Sequence, residues 1–147
     1  MSKKIKWAYG LRTVDKDGRS YGGFVWPKKG KVTAPDWEPT AKCGHGLHAL
    51  LNGEGDSGLL SWDDSALWQV VKFDATTMVD LGGKVKFPAC TVLHTGTRAT
   101  ATACLWGLVG AGHAINGLVL HSDGRLLANG GDYSRLTGGD CSHLTGG

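Results

Sequence analysis

A period of eight near the end of the chain constrains its architecture most. Residues 131–138 read Gly-Asp-Tyr-Ser-Arg-Leu-Thr-Gly and residues 139–146 read Gly-Asp-Cys-Ser-His-Leu-Thr-Gly, so both follow G-D-x-S-x-L-T-G. A unit this short cannot bury an apolar face alone and must stack on its neighbours. That predicts a β-solenoid, with Leu136 and Leu144 pointing inward and Asp132 and Asp140 at turns. Two octets supply one coil of about 16 residues. Gly96-Thr-Arg-Ala-Thr-Ala-Thr-Ala103 reads as a degenerate earlier copy. Stacked coils cover each other's edges, and an end coil leaves one open, which predicts self-association through the solenoid edge. The competing reading of the octets is a flexible Gly/Ser/Thr tail.

The rest of the chain has another composition. All four Pro and five of the six Trp precede residue 95, whereas the short Gly/Thr/Leu patterns follow it. The expected division is therefore an α+β domain over 1–94, for ligand binding or capping, and a Gly/Thr-rich, β-solenoid-like extension over 95–147. An apolar share of 41% suffices for a core. The first domain reads as a small mixed sheet with short helices. Strands are expected at Ile5–Leu11, Tyr21–Trp26, Leu67–Phe73, Met78–Leu81, Lys84–Phe87 and Cys90–His94, with Gly82-Gly83 as a turn. Short helices are expected at 47–51 and after a Ser61 cap, and a loop at Ala34–Pro39.

Charge is uneven. Residues 1–31 carry nine Lys/Arg and two Asp, a net +7, and the remaining residues carry −4. Such a basic segment suits an anionic partner such as a ligand's phosphates, and the competing reading is an exposed hairpin with a merely solvated Lys face. Nucleic acid is not expected as a partner. Ala99–Ser122 lacks charge and is long enough to cross a bilayer, but Thr, His, Asn and many Gly interrupt it, so no membrane partner is expected. The start, Met-Ser-Lys-Lys-Ile-Lys-Trp, has no apolar run behind it, and the four Cys form no C-x-x-C. Together these predict reduced thiols and a cytoplasmic protein.

The densest chemistry lies in Cys43-Gly-His-Gly-Leu-His-Ala49. Gly44 and Gly46 flank His45, which frees the main chain to approach a ligand closely. The expected ligand-binding set is Gly44, His45, Gly46 and His48, with Trp37 and Tyr9 for stacking and Lys28 for charge. The expected ligand is a nucleotide or NAD-like small molecule. The plainer alternative is a tight turn whose His48 is satisfied by a backbone group. Cys43, His45 and His48 with Cys90 or His94 invite a zinc reading, but structural zinc sites usually come as two tight pairs, so no metal or cofactor is assigned. There is no G-x-S-x-G and no P-loop, and Glu38 and Glu54 are the only glutamates, so no catalytic residue is assigned.

Three resemblances bear on these residues. Cys43, Gly46, Leu47, His48 and Ala49, followed by Leu67–Val71 and Gly83–Lys86, resemble a family of small phage and bacterial domains with no assigned activity. That likeness covers roughly residues 5–94 and would place a phage-encoded chain in the host cytoplasm. The octets resemble the solenoid repeats of ice-nucleation proteins, which pair two octets per coil. More distantly, Gly44–Ala49 is similar to a segment of the ADP-ribosyltransferase fold. That similarity implies an NAD-binding cleft, yet no glutamate stands near the later strands. The expected function is ligand binding without catalysis, with a solenoid-capping and self-association module, or an NAD-using transferase, as alternatives.

Overall fold

The computed structural model describes residues 5–20, 23–110 and 113–117. The octets, with Leu136, Leu144, Asp132 and Asp140, lie outside the described residues.

Among the described residues, seven strands and one α-helix make up the fold. The strands are β1 (Trp7–Val14), β2 (Gly30–Thr33), β3 (Leu47–Leu51), β4 (Leu67–Asp74), β5 (Val79–Asp80), β6 (Val85–Phe87) and β7 (Ala89–Gly96), followed by α1 (Arg98–Val109). The sheet order is β2-β7-β4-β1-β3-β6-β5. Every pairing is antiparallel, so the expected mixed sheet is corrected. Only β5 and β6 are neighbours in both chain and sheet; the other ladders join strands that are not consecutive in sequence.

Alternation along β4 assigns the two faces. Trp68 and Val70 join one core cluster, and Leu67, Val71 and Phe73 join or pack on the other. β1 continues the pattern, because Leu11 pairs with Val70 across the ladder and Arg12 with Gln69. On the first face, α1 packs Ala101, Cys104 and Leu105 against Leu11, Leu50 and Val70. On the second, Trp26, Val32 and Ala34 cover Val71, Phe73, Phe87 and Val92. Phe73 and Phe87 stack there at 4.0 Å between centroids, 7° from parallel. Burying a side chain of this size contributes about 1.5–3 kcal/mol.

Several expected elements change. Residues 47–51 form β3, not a helix, because backbone groups on both sides are taken by β1 and β6. Of the returning strand expected over Tyr21–Trp26, the described residues show an isolated antiparallel bridge between Arg19 and Val25, and residues 21–22 lie outside the described residues. The helix expected after Ser61 does not form, and residues 63–66 make a turn closed by the Ala66 N–H on the Asp63 carbonyl; 3-10 turns stand instead at Ser57–Leu59, capped by Asp56, and Ala75–Thr77, capped by Asp74. No octet coil forms at Gly96–Ala103, where β7 ends and α1 begins. Thr97 caps α1, accepting from the Thr100 N–H, while the Thr100 hydroxyl accepts from the Thr97 N–H. This reciprocal pair satisfies two end donors of the helix. Gly110, at φ 83°, ends it. No helix among the described residues is long and apolar enough to cross a membrane.

Candidate functional site

The 42–48 loop is held by β6. β3 and β6 pair with His48 opposite Lys86. The Lys86 side chain is fully buried, and its Nζ donates to the carbonyls of Lys42 at 3.0 Å and Gly44 at 3.1 Å. Its ammonium also lies 5.6 Å from the centre of the Trp37 ring. The chain reverses above it, with Gly44 at φ 95° and His45 at φ 55°. A side chain at Gly46 would meet the Trp37 ring at 3.0 Å, so this glycine serves close packing.

His48 closes the loop from the other side. Its Nε2 accepts the Gly44 N–H at 3.3 Å. That bond needs an unprotonated nitrogen. Burial, reinforced by Lys84, Arg12 and Lys86, pushes the imidazole down to about 4. The His45 carbonyl accepts from the Glu38 N–H at 3.0 Å, and its ring Nδ1 stands 3.3 Å from Glu38 and 3.7 Å from Asp36. The loop's polar groups are thus largely spent on the protein itself. An incoming phosphate would find the Gly44 N–H engaged and the Lys86 ammonium turned toward carbonyls.

Three further groups define the local chemistry. Arg12 is buried, stacks 3.5 Å over Trp26, donates to Gln69 Oε1 at 3.3 Å and donates to the His48 carbonyl. Burial pulls its guanidinium down to about 9, so it remains charged at neutral pH. The same apolar surroundings push the Cys90 thiol up to about 12. Cys43 is exposed, and Lys84 Nζ donates to its Sγ at 3.0 Å. That hydrogen bond favours the thiolate and lowers the thiol below its ordinary value.

Of the expected set, Trp37, Gly44, His45, Gly46 and His48 converge on this loop. Tyr9 does not, because it packs against the α1-covered core. Lys28 is exposed before β2, where its carbonyl accepts from Thr95 Oγ1 at 2.7 Å. Sequence reasoning missed Lys86 and Arg12. The signal available was a Lys and an Arg inside otherwise apolar strands. Among the described residues no group of three or more His, Cys, Asp or Glu could hold a metal ion.

The fold is an antiparallel sheet backed by one helix, and no protein-family model or solved structure matches the chain. Its relatives are bacterial. The ice nucleation protein of Pseudomonas fluorescens is 39% identical over 93 residues, covering 62% of this chain and 8% of the relative. Ice nucleation protein InaU of Pantoea ananas is 36% identical over 93 residues, 62% of this chain and 9% of the relative. The ice nucleation protein of Xanthomonas campestris pv. translucens is 36% identical over the same length, 62% of this chain and 6% of the relative. The chain therefore spans less than a tenth of these curated relatives. A stretch of 93 residues in a chain of 147 must include its centre, so the likeness takes in β4, β5 and β6.

These relatives correct two expectations. They are named for ice nucleation, so a nucleotide- or NAD-binding function, and with it the transferase alternative, is overturned. The internal use of the Gly44–His48 polar groups supplies the physical reason. The cytoplasmic assignment falls with the same finding, and the phage origin finds no support in bacterial relatives.

Proposed function

We propose that this chain is part of an ice-nucleation-type repeat protein, in which the antiparallel sheet domain is a folded carrier for the octet segment. One observation carries the reading: a 39% identity to an ice nucleation protein that runs through the central strands. The octets at 131–146 support the same reading, since G-D-x-S-x-L-T-G resembles the repeats of ice-nucleation proteins. In this reading the octets self-associate through open strand edges, and association enlarges the ordered surface offered to water. Gly44–His48 then serves to lock β3 to β6.

Droplet freezing tests this. The full chain should raise the median freezing temperature above that of a variant whose residues 131–146 are scrambled, and the gap should widen with protein concentration. Identical freezing of the two at every concentration would overturn the proposal.

A further inference from the structure

A cleft of about 430 Å³ opens between the 62–68 segment and the start of α1. Its size falls in the range of small-ligand sites. Trp62 and Trp68 form its aromatic wall, their rings 5.2 Å apart and 72° from parallel. Trp68 is buried, while Trp62 keeps 48% of its surface exposed. The Trp62 ring is fixed, because its Nε1–H donates to the Ser57 carbonyl at 3.0 Å. Asp63 and Asp64 stand on one side and Arg98 on the other, its guanidinium carbon 5.7 Å from the Trp62 ring centre. Among the described residues none of these three charged side chains has a hydrogen-bond or ion-pair partner. Gly96 keeps the rim narrow, since a side chain there would meet Thr100 Oγ1 at 2.7 Å and His94 Nε2 at 2.8 Å.

A second cleft of about 430 Å³ adjoins the first and shares Asp63, Ser65 and Ala66 with it. It brings Asp15, Arg19 and the exposed Leu59 to the same surface. The turn at 63–66 is thus a low ridge between two hollows, and each hollow offers acceptors, a guanidinium donor and hydroxyl groups.

We infer that this double cleft binds a neutral oligosaccharide. A rigid, half-exposed indole matches the C–H face of a pyranose ring and loses little conformational freedom on binding. Unpartnered carboxylates accept from sugar hydroxyls, and the guanidinium donates to hydroxyl or ring oxygens. Opposite charges on facing walls disfavour a polyanion, which would meet Asp63 and Asp64. Two hollows across a ridge suit a linear chain of several sugars over a single ring. The proposal does not depend on the ice-nucleation reading, because it uses none of the octet residues.

Titration of the full chain with laminarihexaose, cellohexaose and mannohexaose, followed through the Trp62 indole N–H resonance, tests this. At least one should bind saturably with Kd below about 10 mM. Trp62→Ala, which lacks that resonance and is therefore titrated by calorimetry beside the parent, should weaken that binding by about tenfold or more. Because Trp62 also packs on Trp68, Asp64→Asn and Arg98→Gln serve as exposed second variants, and each should weaken binding while leaving the melting curve unchanged. The inference is overturned if no hexasaccharide moves the resonance. It is equally overturned if Asp64→Asn and Arg98→Gln bind as the parent does, or if oligogalacturonate binds more tightly than all three neutral sugars.

Discussion

The 42–48 loop and the Trp62–Arg98 cleft form an instructive pair. The first has every outward mark of a binding loop, with paired glycines, two histidines, a cysteine and a nearby tryptophan. Yet its carbonyls are held by Lys86 and its free amide by His48. The second has no motif, but it leaves two carboxylates and a guanidinium around an exposed indole. The difference is one of satisfaction. A buried polar group without a partner is costly, so a packed protein fills its own donors and acceptors wherever water is excluded. Unspent polar groups survive at a water-filled cleft.

This contrast predicts different responses to substitution. Lys86→Met removes a charged donor from two carbonyls and should cost about 2–4 kcal/mol in urea unfolding. A cost below about 0.5 kcal/mol would mean that the loop does not close on this lysine. Gly46→Ala forces the Trp37 ring to move and should cost about 1–2 kcal/mol. A blue- or red-shifted Trp emission would accompany it if Trp37 leaves its seat.

Acid should loosen the same loop. His48 titrates near 4 in the folded chain against an ordinary 6.5, so the unfolded chain takes up this proton first as pH falls. The stability contributed by neutral His48 is complete above about 6.5 and is lost as pH falls from there toward about 4. Urea midpoints measured across that window should drop in the parent and drop less in His48→Gln. Equal slopes in both would remove His48 from the account.

Cys43 gives a milder test. Iodoacetamide should modify it well before Cys90, since Lys84 favours one thiolate and burial disfavours the other. Lys84→Ala should slow the Cys43 reaction and leave Cys90 unaffected. At the cleft, Asp64→Asn and Arg98→Gln should change stability by no more than about 0.5 kcal/mol, the smallest effect of the series.

Much of the sheet was legible from local pattern. β4 is rich in large apolar and β-branched residues (Leu67, Trp68, Val70, Val71, Phe73), and Gly82-Gly83 announces the turn between β5 and β6. β3 was not legible, because Leu-His-Ala-Leu-Leu suits a helix by propensity and only its pairing on both edges makes it a strand. Nor was α1, whose Thr and Ala content mimics a degenerate octet; the Thr97-x-x-Thr100 box was the available signal. The loop itself was foreseen as a glycine-freed turn, including the plainer alternative that a backbone group satisfies His48. What fills it was hidden, because Lys86 reaches the loop only through the β3–β6 register. The cleft was hidden for a similar reason, since Trp62 and Arg98 meet only after α1 folds back onto β4.

Amine labelling of the native chain tests the closed loop most directly. Under brief reductive methylation, Lys42 and Lys84 should be modified while the Lys86 amine stays protected until the chain unfolds. Methylation of Lys86 at the rate of Lys42 would show that the loop stands open, and the account of a lysine-filled turn would be wrong.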